Sequence, residues 1–276
     1  MRFLRPALLT ICAALVLAIV PSAGAIVNGV PDGNRHPYVV FVGQQAVFPD
    51  GSIRNGQACS GVLVAPTIVL TAAHCSLSPP LPPGASLRYV VRQGELIAAP
   101  ELATTGTFFR HPDFCFASCP NGLFGFAAND LGVLVLNSPL PGPYAKLPRA
   151  GSVGKKFDDK LKRLTIVGYG LTAAPAPGAQ LDARRYAFAE AHLSPSPDFL
   201  ELPVPTNDKY GIACRGDSGG PALKGKTVLA IQSFGDDACG GPTYSYRLDT
   251  QSARAFLAQF LDLKQSEGSD EDEQGD

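Results

Sequence analysis

The stretch "CRGDSGGP" (residues 214–221) sets one serine, Ser218, in a run of glycines. Taken singly, a serine among glycines is a turn residue. Its hydroxyl is also a nucleophile, but a poor one at neutral pH, and it needs a base to take its proton. The segment "LTAAHC" (70–75) carries a histidine that can serve, His74. An imidazole base in turn needs a carboxylate to hold its tautomer and to stabilise the imidazolium. Asp130 offers one where "ANDLGVLVL" (128–136) turns into an apolar strand. Asp113 in "HPDF" (111–114) also lies between His74 and Ser218, but in a loop containing proline and cysteine. The glycines around Ser218 let the backbone turn so that N–H groups converge on a developing oxyanion.

Outward from these pieces, the chain of 276 residues is 45% hydrophobic, 17% charged, and holds 29 glycines and 25 prolines. That length fits one large β domain or two small ones, and the turn-rich, charge-poor composition favours β structure over a helical bundle. Short Val-, Ile-, Leu- and Tyr-rich runs recur between turn residues: "YVVFVG" (38–43), "GVLVAPTIVLTA" (61–72), "RYVVRQG" (88–94), "LGVLVLN" (131–137), "LTIVGYG" (164–170) and "TVLAIQSFG" (227–235). Helical periodicity is confined to "TQSARAFLAQFLDLK" (250–264), where Ala255, Phe256, Ala258, Phe260 and Leu261 form the predicted apolar face. The proline-rich "SLSPPLPPGAS" (76–86) reads as a stiff loop, since strand-like sequence resumes after it.

Residues 1–25 read as a secretory signal: Arg2 and Arg5, an apolar run from Ala7 to Val20, then Ala23-Gly24-Ala25 as the cleavage site. No other stretch is long and apolar enough to cross a membrane. Of seven cysteines, Cys12 leaves with the signal, and six remain for an oxidising compartment: Cys59, Cys75, Cys115, Cys119, Cys214 and Cys239. Six cysteines allow fifteen pairings, and their spacing is not that of a zinc finger. The tail, residues 265–276, holds six acids and no base and reads as a disordered, solvated segment. No basic stripe with interleaved aromatics marks a nucleic-acid partner. Glu95 and Glu101 lack the companions of a calcium loop, so no metal or cofactor is expected.

The three motifs, in this order and with "RHPYVV" (35–40) and "IVGYGLT" (166–172) in place around them, resemble the chymotrypsin-like serine proteases over Ile26 to about Leu263. The resemblance implies an all-β protein of two six-stranded antiparallel β-barrels ending in an α-helix, spanning residues 26–264. It implies His74, Asp130 and Ser218 as the catalytic triad, with the amides of Gly216 and Ser218 as the oxyanion hole. Ser233 matches a residue that hydrogen-bonds the triad aspartate. Cys59 with Cys75 and Cys214 with Cys239 match family disulfides; Cys115 and Cys119 have no family counterpart and are left to pair locally.

The resemblance also implies a specificity pocket. Six positions before Ser218, its floor falls at Ile212, with Ser233, Phe234 and Gly235 on one wall and Thr243 on the other. An isoleucine there offers no charge, which implies cleavage after a neutral residue, aliphatic or aromatic. Asp236 and Asp237 at the mouth keep a Lys/Arg preference as the alternative. Ile26 is implied to fold inward, once freed, and pair its α-amino group with Asp217. The signal site abuts Ile26 directly, so one cut is expected both to release and to activate the enzyme. The expected product is a secreted monomeric endopeptidase acting on protein or peptide substrates and open to protein inhibitors. A non-catalytic homologue serving as a binding module is the alternative from another class.

Overall fold

The computed structural model describes residues 26–153, 163–175 and 181–266. The signal reading for 1–25 and residues 267–276 of the acidic tail lie outside the described residues.

The chain enters along β1 (Val30–Pro31) and then builds its first unit from β2 (Val39–Val47), β3 (Ile53–Ala65), β4 (Ile68–Thr71), β5 (Ser86–Gln93) and β6 (Leu102–Arg110). A small hairpin of β7 (Cys115–Phe116) and β8 (Ala127–Ala128) precedes β9 (Gly132–Leu136). Six of these strands close into a barrel in the order β2-β3-β4-β9-β6-β5, with β5 returning to β2. Closure leaves no open sheet edge, and the interior is β-branched and leucine-rich: Val39, Val62, Leu70, Val91 and Val133 are fully buried. The runs "YVVFVG", "RYVVRQG" and "LGVLVLN" are β2, β5 and β9, and "GVLVAPTIVLTA" bends at Pro66 between β3 and β4.

The second unit comprises β10 (Arg163–Gly168), β11 (Arg185–Glu190), β12 (His192–Leu193), β13 (Phe199–Leu202), β14 (Pro221–Lys224), β15 (Thr227–Gly235) and β16 (Thr243–Arg247). With β1 they form an eight-stranded antiparallel sheet, β1-β11-β10-β14-β15-β16-β13-β12. Strands β11 and β12 are one run broken only at the buried Ala191, and they pair with opposite ends of the sheet. The sheet therefore curls back on itself through a bent shared strand. Counting that strand once and setting aside β1 leaves six strands, so the second barrel is a curled half-barrel joined at Ala191.

A buried polar clamp ties the units together. Arg184 is fully buried; its Nε donates to Asp32 Oδ2 at 2.9 Å and its Nη1 to the Val39 carbonyl at 2.9 Å. The Tyr169 hydroxyl donates to the Gly94 carbonyl at 2.5 Å, and burial pushes that phenol up to about 12. Asp32 also accepts from the His36 backbone at 3.0 Å and faces His36 Nδ1 at 2.5 Å. Either ion alone would be a stranded buried charge, so Asp32 and Arg184 come as a pair. The clamp pins the entering segment, and Val27 pairs with Ile212 just upstream.

The C-terminal helix is shorter than the periodicity predicts. It forms α1 (Gln251–Leu257), turns, and resumes as α2 (Leu263–Ser266). Ala253, Phe256 and Leu257 are buried, whereas Ala255 and Ala258, placed on the apolar face by the sequence, are exposed. The large rings decide this: Phe256 packs on Phe260, and Phe260 on Phe109, which sets the helix face and leaves Ala255 and Ala258 outward. Thr250 caps α1 by accepting from the Ala253 amide at 3.2 Å. Thr250→Ala is expected to cost about 1 kcal/mol. Thermal unfolding checks it, with a midpoint lowered by roughly 2–4 °C.

Candidate active site

His74 lies on a 3-10 turn, Ala73–Ser76, held down by the Cys59–Cys75 disulfide. Asp130 sits just ahead of β9, after Asn129 in the left-handed conformation (φ 49°). Asparagine is among the few side chains that tolerate that conformation. Asn129 is fastened from the second unit, its Oδ1 accepting from the Tyr246 hydroxyl at 2.9 Å and from Ser252 Oγ at 2.8 Å. Asp130 is fully buried. Its Oδ1 accepts from the His74 amide at 2.8 Å, while Oδ2 meets His74 Nδ1 at 2.8 Å and accepts from Ser233 Oγ at 2.5 Å. A backbone amide, a hydroxyl and the His74 ring nitrogen thus converge on this one carboxyl group. Asp113 is exposed, and its amide donates to His111, away from this arrangement.

Ser218 sits half-buried in the turn leading into β14. Gly216 (φ +98°) and Gly219 (φ +80°) adopt backbone angles that side chains disfavour, bending the chain around it. The Ser218 carbonyl accepts from the Ser60 amide at 2.8 Å, and the Gly216 carbonyl from Ser60 Oγ at 2.9 Å. The Cys214–Cys239 disulfide joins this turn to the loop beyond β15.

Beside Ser218, Asp217 is buried and accepts from the amides of Gly170 (2.8 Å) and Cys214 (2.9 Å), with the Ile26 backbone as a third donor. Burial outweighs these bonds and pushes the carboxyl up to about 7. Sequence reasoning missed the residues that make room for it. A Cβ at Gly168 would stand 2.2 Å from Asp217 Oδ1, and one at Gly170 2.6 Å from its Cγ. The two glycines in "IVGYG" are the signal that could have located this cage.

A cleft of about 210 Å³ is lined by His74 and Ser218 together with Ser233, Phe234, Gly235 and Thr243. Ile212, predicted as the pocket floor, does not line it. Its backbone pairs in both directions with Val27 (3.0 and 3.2 Å), and Ala213 takes the position on the wall. Gln232 also lines the cleft; a polar residue inside the apolar run "TVLAIQSFG" was the available signal. At the mouth, Asp236 accepts from the amides of Ala238, Gly240 and Gly241, which hold its carboxyl below the usual range. Asp237 pairs with Arg215 at 3.1 Å, both well exposed, a contact worth little.

An aromatic row covers one side. Phe116 stacks on the His74 ring (centroids 4.8 Å apart, 22° between planes), then follow Phe126 at 4.6 Å and Phe234 at 5.1 Å from it. The Cys115–Cys119 disulfide and the β7–β8 pairing hold Phe116 in place. Such ring pairs add about 0.5–1.5 kcal/mol beyond burial. Phe116→Ala is therefore expected to lower kcat/KM about 3–10-fold, measured on a peptide substrate. Cys59, His74 and Cys75 bring ligand-type atoms within 4.8 Å, but both sulfurs are spent in the disulfide, leaving no thiolate for a metal.

Known proteins resemble this chain. The family model described as Trypsin matches residues 27–256. A trypsin of Saccharopolyspora erythraea is 29% identical over 224 residues, covering 75% of this chain and 84% of that protein. A vitellin-degrading protease of Bombyx mori is 30% identical over 206 residues, covering 69% and 71%. Kallikrein-7 of Homo sapiens is 28% identical over 200 residues, covering 68% and 71%. Among solved structures, the HL collagenase structure aligns with a TM-score of 0.59 at 20% identity, covering 87% of this chain and 97% of that one, a likeness of fold. Two β units, a buried Asp–His pair whose histidine lines one cleft with Ser218, and a family match across nearly the whole described region lead to one conclusion: the chain belongs to the trypsin family of serine endopeptidases.

Proposed function

We propose that the chain is a secreted endopeptidase that cuts protein substrates through an acyl-enzyme on Ser218. The observation that carries this reading is the fully buried Asp130 accepting from the His74 amide and lying 2.8 Å from its ring Nδ1, with His74 and Ser218 lining one cleft. In each cycle the Ser218 oxygen attacks the scissile carbonyl and His74 Nε2 takes its proton. His74 then gives that proton to the departing amine, leaving the acyl group on Ser218. Water repeats the attack, with His74 again as base, and releases the acid. Asp130 holds the ring with Nδ1 protonated throughout. The amides of Gly216 and Ser218 stabilise the oxyanion; one such donor is worth about 10²–10³ in rate.

Ile26 and Asp217 act as the activation pair, the freed α-amino group replacing the backbone N–H that now faces the carboxyl. The residue before the scissile bond has an uncharged side chain, the class that includes aliphatic and aromatic ones. Supporting this, the cleft beyond its mouth is walled by Ala213, Gln232, Ser233, Phe234 and Thr243, none of which carries a charge to pair with lysine or arginine. Three disulfides support an extracellular setting. Digestion of unfolded casein by the chain starting at Ile26 tests the reading. Activity that falls by several powers of ten in Ser218→Ala supports it, and equal activity in that variant overturns it.

A further inference from the structure

We propose that the primary pocket selects a carboxamide side chain, glutamine or asparagine, before the scissile bond, with Gln232 and Thr243 as the recognising pair. This rests on the serine-endopeptidase reading above and narrows its substrate class.

The inner wall of the cleft is polar where an apolar pocket would carry aliphatic side chains. Gln232 on β15 stands directly opposite Ser245 on β16, and Thr243 lies two residues before Ser245 on the same face. The Ser245 hydroxyl donates to Gln232 Oε1 at 3.1 Å, which orients the amide. Gln232 Nε2 and Thr243 Oγ1 then find no hydrogen-bond partner among the described residues, although both atoms are sealed from solvent. Gln232 and Thr243 are each 3% exposed, and both line the cleft that Ser218 lines. Both residues line the substrate-sized cleft, and a small side-chain rotation on binding, common where partners meet, brings each unpaired group to a partner there.

The chemistry of that partner follows from what each atom offers. Gln232 Nε2 can only donate, so it calls for an oxygen acceptor. Thr243 Oγ1 can accept, so it calls for an N–H. A carboxamide supplies both from one planar group. A carboxylate supplies acceptors but meets the charges of Asp236 and Asp237 at the mouth, where Arg215 is already paired with Asp237. A lysine or arginine would set donors against Gln232 Nε2. An aliphatic or aromatic side chain would leave both buried groups unpaired, which a site built to hydrogen-bond penalises strongly.

The test uses the full processed chain and peptide p-nitroanilides that differ only at the residue before the scissile bond. Two nearly isosteric pairs, Gln against Met and Asn against Leu, separate hydrogen bonding from size; Glu and Arg members serve as charged controls. The expected result is a kcat/KM advantage on the order of 10–100-fold for the amide in at least one pair. That advantage is expected to collapse in Gln232→Met and in Thr243→Val, each checked for folding by thermal unfolding; if one does not fold, the other carries the comparison. A preference for Met, Leu, Glu or Arg in a chain whose Ser218 is labelled by a fluorophosphonate overturns the inference and leaves the protease reading intact. An amide preference that persists in the folded variants overturns the assignment to these two residues. No cleavage of any peptide together with no labelling of Ser218 overturns the protease reading itself.

Discussion

Asp130→Asn is expected to lower kcat about 10⁴-fold while leaving the fold in place, the magnitude being the one established for the family's own triad. The reason is visible in the donors that meet Asp130. One carboxylate oxygen accepts from the His74 amide, and the other faces His74 Nδ1 and accepts from Ser233 Oγ. An asparagine has one acceptor and one donor end. If its NH₂ faces the imidazole, Nδ1 must give up its proton to accept, which moves the proton to Nε2 and removes the base from Ser218. If its NH₂ turns the other way, it opposes the His74 amide, a buried donor against a donor. Steady-state kinetics against pH check this. A loss of only a few-fold near neutral pH would mean that Asp130 does not set the tautomer.

Retaining Gly24-Ala25 ahead of Ile26 is expected to cost about 10²–10⁴ in kcat/KM relative to a chain that starts at Ile26, the equivalent of about 3–5 kcal/mol for an unpaired buried charge. With a backbone N–H in place of an ammonium, Asp217 carries a carboxyl pushed up to about 7. The sign is that of a raised acid. The protonated carboxyl is the one that suits the buried site, so its contribution to stability is complete below the ordinary value of 3.8 and is lost as pH rises toward and through about 7. The extended chain should therefore lose stability between about pH 4 and 7. The processed chain, whose ammonium favours the ionised carboxylate, should not. Urea unfolding of both forms across that range measures the difference, and parallel pH profiles would remove Asp217 as the other half of the activation site. N-terminal sequencing of exported protein adds a separate check: a start upstream of Ile26 would require a second protease.

The residues gathered at the cleft were legible in the sequence because motif residues stay together along the chain: Ser218 among its glycines, His74 beside Cys75, Asp130 at the start of a strand. Strands rich in large aliphatics were legible for the same reason. Strand β11, "RYAFAE", was not, since its buried positions are Ala187 and Ala189, too small to register as an apolar stripe. Strand β6, "LATTGTFFR", hid behind threonines and a glycine. The pocket was legible only in part. Counting back from Ser218 locates Ile212 along the chain, but its pairing with Val27 is a contact across 185 residues of sequence and decides which neighbour reaches the cleft. Gln232 and Thr243 come to one cleft only through the β15–β16 register, which no local pattern encodes. The aromatic row over His74 likewise joins Phe116, Phe126 and Phe234 from separate segments.

Labelling with a fluorophosphonate probe tests the central claim most directly, because the probe reacts only with a serine that a neighbouring base has activated. Peptide mass mapping of the processed wild type is predicted to find the phosphonyl group on Ser218, with labelling abolished in Ser218→Ala and strongly slowed in Asp130→Asn. A folded, correctly processed chain that takes up no probe, or takes it up equally well in Ser218→Ala, would contradict catalysis by Ser218.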